Sequence, residues 1–335
     1  MTSSTQRDFP SEPRPFASEP RPLGSGSCSP HVDIAMPAYN CAPWLDGFIG
    51  SLLAQDFTGW RLIARDDGST DSTGCQLAQW QDQLGERMTI LPDSGTRNLG
   101  LIGNYNAVLT AATAPLVMSA DPDDIWLPGK ITRSVQALRQ AEQASGAGVP
   151  LAICTDAAVV DCNRQPIAPS FWRWSRMDPR RMRVLARTAM ESVALGSTMM
   201  VNRALLNRAL PVAAEAAYQD WWLALVAVAF GRLVALPETT ILYRRHEVNA
   251  TAGPYSRTLS GAPRRRLKNL VAQSATQARS FVARYRDCLK RPDIAALEAL
   301  GRLPSLGLVE RRLAVLRHGL WFASPLKNAG LLALL

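Results

Sequence analysis

The chain has 335 residues, 47% of them hydrophobic, and a formal net charge of +9. That apolar share excludes a disordered protein, and the length suits one large domain or two modest ones. Charge is unevenly placed: from Arg257 onward the balance is +11, while the rest of the chain sums to −2.

Residues 1–30 repeat "SEPRP" at 11–15 and 18–22 and are dense in Pro, Ser and Gly. They carry charges where a signal peptide needs an apolar segment, so a disordered tail is expected. "HVDIAMP" (31–37) follows as a buried strand, then a helix over 43–55 with Trp44, Leu45, Phe48, Ile49, Leu52 and Leu53 at helical spacing. "WRLIARDD" (60–67) is a second strand, and "GSTDST" (68–73) a turn capping a helix through about Leu84. "RMTILP" (87–92) is a third strand, 98–113 a third helix and "PLVMSA" (115–120) a fourth strand. Strand alternating with helix predicts an α/β fold with a mainly parallel sheet and helices on both faces. Ligands of such sheets bind beyond the carboxyl ends of the strands. Asp66-Asp67 and Asp121, Asp123 and Asp124 all fall at such ends.

Beyond these, a helix is expected from Trp126 or Leu127, and one or two strands over 150–161. The aromatic and basic "FWRWSRMDPRR" (171–181) predicts a mobile loop, and 192–206 a strand feeding a helix. The spacing predicts a helix over 218–231 and strands at 232–237 and 239–246. "WWLALVAVAF" (221–230) falls short of the ~18 apolar residues a membrane span needs, so a buried helix is expected. Six scattered cysteines without a Cys-x-x-Cys pair indicate reduced thiols in a cytosolic protein, neither a zinc knuckle nor a redox motif. No glycine-rich dinucleotide or P-loop signature occurs, which disfavours a dehydrogenase or a P-loop nucleotidase.

Three carboxylates within Asp121–Asp124 repel one another, and a hard divalent cation such as Mg²⁺ or Mn²⁺ relieves that repulsion. The alternative is that one acid caps the following helix while the others are solvated. "MPAYN" (36–40), "DDGSTDST" (66–73), "DPDDIWLPGKI" (121–131), "GSTMMVNRALL" (196–206), "QDWWLALVAVAFG" (219–231) and "ILYRRHEVN" (241–249) occur in this order. Together they resemble the family 2 glycosyltransferases of the GT-A fold, over roughly 31–250, and within them the rhamnosyltransferase-like bacterial branch.

The resemblance implies a GT-A domain over 31–255, with a nucleotide-binding half (31–130) and an acceptor and catalytic half (150–255). It places Pro37 and Tyr39 at the base of a nucleotide, Tyr39 by stacking. Asp67 accepts the base's ring N–H, and Asp66 lies near the ribose. Asp123 ligates Mg²⁺ or Mn²⁺ bridging the donor diphosphate, with Asp121 in support and His246 at the metal or diphosphate. Asp220 is the catalytic base. Trp221 and Trp222 form the acceptor side, with Trp126, Arg244 and Arg245 in the vicinity of donor and acceptor. Adjacent strand residues face opposite ways, so at most one of Arg244 and Arg245 should meet phosphate. Asp124 is expected to be a helix cap. Pro122 and Gln219 depart from the family's usual residues.

Residues 256–335 read as a basic helical extension. Leu308, Arg311, Arg312, Leu313, Leu316, Leu320, Trp321 and Phe322 form an apolar stripe flanked by arginines. Such a helix lies on an anionic membrane, or packs as a layer on the catalytic domain. Nucleic acid is not an expected partner, because aromatics are not interleaved with the arginines. The expected activity is inverting, metal-dependent sugar transfer from a dTDP- or UDP-linked donor to a glycan or lipid-linked acceptor. Its expected place is the cytoplasm, peripherally on the inner face of the cytoplasmic membrane. A non-catalytic nucleotide-sugar-binding or assembly partner is the alternative, disfavoured by the presence of Asp220.

Overall fold

A computed structural model describes residues 32–92, 98–246 and 263–333. The expectations for the tail, for residues 247–249 of the last motif and for a boundary at 255–256 lie outside the described residues.

Four parallel strands come first: β1 (Val32–Ala38), β2 (Trp60–Asp66), β3 (Met88–Ile90) and β4 (Leu116–Ser119), in the order β3-β2-β1-β4. All seven residues of β1 are buried, as a strand covered on both faces requires. Helices α1 (Ala42–Leu53), α2 (Thr73–Leu84) and α3 (Gly100–Ala111) make the crossovers. Parallel strands share a direction, so Tyr39, Asp66-Asp67 and Asp121 emerge at one edge. That edge was legible in the sequence.

The rest of the sheet is β5 (Ile125–Trp126), β6 (Leu151–Val160), β7 (Pro166–Ala168), β8 (Met199–Asn202) and β9 (Arg232–Arg244). Strand β8 runs antiparallel between β4 and β6, and β9 lies parallel to β6. The nine strands of the described residues thus form one mixed sheet with a parallel nucleus. Helices α4 (Lys130–Ser145), α5 (Phe171–Trp174), α6 (Leu185–Met190), α7 (Arg203–Ala209) and α8 (Gln219–Phe230) complete this part.

Four expectations are corrected. Ile125 and Trp126 pair with Leu242 and Ile241 as a short strand, and the helix begins only at Lys130, after Leu-Pro-Gly. Residues 171–181 hold helix α5 and a 3₁₀ turn over Pro179–Arg181, because Phe171 and Trp172 are buried and anchor the segment. The strands expected at 232–237 and 239–246 are one strand with a register shift against β6 between Thr155 and Ala158. Strand β3 is three residues long and not six.

Four further helices follow, α9 (Pro263–Tyr285), α10 (Arg291–Arg302), α11 (Leu308–His318) and α12 (Pro325–Ala333). Their apolar faces join the same core as the sheet, through Phe281, Leu297, Leu300, Val315, Phe322 and Leu331. Helix α8 is buried throughout 219–227, as a helix apolar on every side must be. Trp222 on α8 meets Phe281 and Tyr285 of α9 at ring-centroid distances of 5.2 and 6.0 Å.

The predicted C-terminal stripe divides in two. Of its residues Leu320, Phe322 and Arg311 are buried, while Leu308, Leu313 and Leu316 are exposed, as are Val309 and Leu326, which the stripe did not include. Among the described residues no helix is long and apolar enough to cross a membrane.

Candidate active site

The acids at the sheet edge are held by named partners. Gly68 and Asn40 take left-handed backbone conformations, at φ 80° and 47°, in the two turns after β2 and β1. The Asn40 amide donates to the Ser69 hydroxyl at 2.8 Å, and the Thr70 amide donates to the Asn40 side chain at 2.8 Å. These bonds tie the "PAYN" and "DDGST" turns together and leave Tyr39 52% exposed at their junction. Pro37 is buried within β1.

Asp66 and Asp67 have different surroundings. Half-buried Asp66 accepts from the Ser69 amide at 3.1 Å and from its hydroxyl. Asp67 is buried and accepts from Arg65 at 2.5 Å and from the Leu99 and Gly100 amides at 2.8 and 2.9 Å. It therefore braces the start of α3 against β2, and Asp66 presents the more open carboxylate.

Asp123 Oδ2 lies 2.9 Å from His246 Nε2, and the imidazole stacks on Trp44 with centroids 4.2 Å apart. Two adjacent donors of an octahedral ion, each at about 2.1 Å, stand about 3 Å apart, so this pair fits a small hard cation. Among the described residues no cluster of three or more such side chains is found. The chain would thus supply two donors and leave the remaining positions to phosphate and water, as Mg²⁺ sites commonly do.

Asp121 accepts the Tyr105 hydroxyl proton and the Ser197 amide. Burial, then the charge of Asp123, push its carboxyl up to about 7. The buried Asp220 side chain accepts from the Trp221 and Gly196 amides. Burial first, then the charge of Asp121, raise it to about 7 as well. Successive amides, Gly196 and Ser197, thus hold the two carboxylates side by side. An added Cβ at Gly196 would stand 2.6 Å from Gln219 Nε2 and 3.7 Å from Asp121 Oδ2, so a larger residue there would displace the Gln219 side chain.

Asp124 does not cap a helix. It is 1% exposed and accepts from the Ser197 hydroxyl and, at 3.1 Å, from the Arg244 amide. Burial and its acidic neighbours raise its pKa, and Lys130 supplies nearby positive charge. Lys130 is itself fully buried, 3.4 Å from the Thr240 hydroxyl and over the Trp126 ring, and desolvation lowers it to about 7.

Arg244 and Arg245 diverge, as their adjacency predicts. Arg244 Nε donates to the Asp123 carbonyl at 2.9 Å and Nη1 to the Cys162 carbonyl at 3.1 Å, whereas Arg245 lies over the Trp174 ring. The expectation of an acceptor-facing Trp221-Trp222 pair is corrected. Both indoles are buried, donating to the Thr188 and Ala209 carbonyls, because α6 and α9 cover them. Trp126 is likewise buried against Phe48. Gly196, Ser197, Tyr105 and Lys130 were not singled out from the sequence. The short "GST" before β8 was the available signal for the first two.

A mixed sheet with a parallel nucleus and acids at its carboxyl edge is the framework of a nucleotide-sugar transferase. The sequence profile of the family described as Glycosyl transferase family 2 matches residues 33–209, and the chain belongs to that family, with the GT-A fold. A Nostoc protein described as an uncharacterized glycosyltransferase is 32% identical over 111 residues, 33% of this chain and 34% of its own. A β-1,3-glucosyltransferase of Escherichia coli, whose name gives UDP-Glc and α-D-GlcNAc-diphosphoundecaprenol, is 29% identical over 107 residues, 32% of this chain and 40% of its own. The chain thus spans well under two thirds of the length of these curated relatives. Among solved structures, the mannosyltransferase PcManGT of Pyrobaculum calidifontis with GDP-Man and Mn²⁺ aligns with TM-score 0.53 at 18% identity, covering 94% of this chain and 86% of that one. That likeness concerns the fold alone.

Proposed function

We propose that this chain is an inverting glycosyltransferase that moves a sugar from a nucleoside diphosphate to a hydroxyl acceptor, with a divalent cation at Asp123 and His246. The carrying observation is that the Gly196 and Ser197 amides hold Asp220 and Asp121 together beside the Asp123–His246 pair. Tyr39 offers an exposed ring for stacking on a base, with Asp66 and Asp67 at its edge. Asp220 takes the proton from the acceptor hydroxyl as that oxygen bonds to the anomeric carbon. The bond from that carbon to the diphosphate breaks on the opposite face, which inverts the configuration. Asp123 and His246 would hold the divalent cation, which would supply charge neutralisation for the departing diphosphate. The motif likeness favours rhamnose from dTDP-rhamnose as donor, and a cell-surface glycan or lipid-linked chain as acceptor.

A thermal-shift panel of UDP, dTDP and GDP, each with Mn²⁺ and with EDTA, tests this reading. A shift with one nucleotide, present with Mn²⁺ and lost in EDTA, is expected; no shift with any nucleotide rejects it.

The α11–α12 face belongs to the same proposal, as a peripheral contact with the inner face of the cytoplasmic membrane. Val309, Leu313 and Leu316 recur at helical spacing and are 61–69% exposed, with Arg312 and Arg317 exposed between them. Each basic residue at an anionic surface adds about 1 kcal/mol. Leu313→Asp with Leu316→Asp should abolish sedimentation with phosphatidylglycerol vesicles while leaving the melting temperature unchanged. Vesicle binding equal to wild type rejects the membrane role.

A further inference from the structure

A second cleft lies on the far side of the β9 end from Asp123. It encloses about 640 Å³ and is lined by residues of β7, α5 and the turn after it, among them Ile167, Arg173, Trp174 and Arg176. That volume is in the range of small-molecule sites. Its walls are fixed in place. The Ser170 hydroxyl donates to buried Asp156 and accepts from the Arg173 amide at 3.1 Å, and the Thr239 hydroxyl donates to the Pro169 carbonyl at 3.2 Å.

The charge in this cleft is unbalanced. Among the described residues Arg173, Arg176 and Arg245 have no carboxylate within 4 Å, whereas the neighbouring Arg180 and Arg181 both pair with Asp178. Arg245 spreads its guanidinium 5.2 Å over the Trp174 ring that lines the cleft. Arg176, at φ 56°, is the left-handed residue that ends α5: its amide donates to the Arg173 carbonyl at 3.2 Å and the Met177 amide donates to the Trp172 carbonyl at 2.8 Å, which fixes the turn. Arg173 and Arg176 in the lining, Arg245 over the Trp174 ring and Ile167 46% exposed ask for a polyanion attached to something apolar. A carboxylate would match one of the three charges; a diphosphate esterified at both ends carries two and matches more of them.

Arg245 is next along the chain to His246, whose imidazole is 2.9 Å from Asp123. Arg245 over the cleft's Trp174 is thus the chain neighbour of a residue proposed at the donor's diphosphate. We propose that the Arg173–Trp174–Arg176 cleft, with Arg245, binds a diphosphate carried by the acceptor, with Trp174 and Ile167 against the apolar chain joined to it. This proposal rests on the glycosyltransferase reading for the word acceptor, but the cleft's anion binding is measurable without it.

The test is calorimetric titration of geranyl diphosphate into the full chain. The buffer contains EDTA and no nucleotide, so that the metal-dependent donor site takes up no diphosphate and the cleft is not blocked by a competing one. Saturable binding is expected, weakened at least tenfold in Arg173→Ala with Arg176→Ala and in Trp174→Ala. Arg173 and Arg176 are exposed, so the melting temperature of the double variant should hold; Trp174 packs partly on the core, so its variant is titrated well below its own melting temperature. Inorganic pyrophosphate should bind through the same arginines, more weakly, and be indifferent to Trp174→Ala. Galacturonate binding with the same arginine dependence would replace a diphosphate by an acidic sugar and overturn the proposal. So would a wild-type chain that takes no geranyl diphosphate, or a double variant that binds it unchanged. If the donor reading fails instead, no nucleotide shifts the wild-type melt while geranyl diphosphate still reports on the cleft.

Discussion

Asp220→Asn is expected to lower turnover by at least about 10²-fold while leaving donor affinity near wild type. A sugar hydroxyl is a poor nucleophile, and its proton must leave as the new glycosidic bond forms. Asparagine keeps an oxygen able to accept from the Gly196 and Trp221 amides, so the local structure persists and only the base is lost. The carboxyl, raised to about 7 by burial and then by Asp121, acts as a base only when ionised. The wild-type rate should therefore rise with pH through about 7 and level off above it. A carboxyl whose folded pKa exceeds its unfolded value costs stability once pH passes the unfolded value, and that cost is complete above the folded one. At pH 8 the Asp220→Asn chain should accordingly melt no lower than wild type. Near wild-type turnover would reduce Asp220 to a helix-end acceptor and leave the transfer without a base.

The sheet nucleus was legible because buried parallel strands are apolar runs, and Asp66-Asp67 and Asp121 to Asp124 sit where those runs stop. What the sequence could not convey was which acid faces outward. Asp124 follows Asp123 directly, yet it turns inward to Ser197 and the Arg244 amide, partners 73 and 120 residues away. A capping role was the local guess, and Leu-Pro-Gly delayed the helix to Lys130. Lys130 was not singled out, because its burial depends on Thr240 and Trp126, the former 110 residues away. Trp221 and Trp222 show the same limit. An aromatic pair at a helix start suits either an acceptor platform or a core, and α9, more than 40 residues later, decides for the core at Trp222. The α11 stripe was half right for the same reason, since covering elements bury Leu320 and Phe322 and spare Leu313 and Leu316.

The second large effect is expected at Asp123. Bringing a diphosphate beside Asp121, Asp123 and Asp124 adds negative charge to a cluster in which Asp121 and Asp124 are already raised by burial and then by their acidic neighbours. A cation bridging protein and phosphate removes that repulsion, and Asp123 with His246 is the pair spaced to hold one. Asp123→Ala deletes one of two protein donors, so nucleoside diphosphate affinity in Mn²⁺ should fall roughly 10²-fold, the upper end of what disturbing a metal site costs. His246→Ala should lose less, because the carboxylate carries the charge and the Trp44 face remains. The informative comparison is the cycle with metal removal. In EDTA the wild type should bind as weakly as Asp123→Ala does in Mn²⁺, and the variant itself should barely respond to EDTA. Asp124→Asn serves as the control: a buried strut between Ser197 and Arg244, it should lower the melting temperature while keeping the Mn²⁺ response. Equal wild-type affinity in Mn²⁺ and EDTA would remove the cation from the site and leave Asp123 and His246 as a hydrogen-bonded pair.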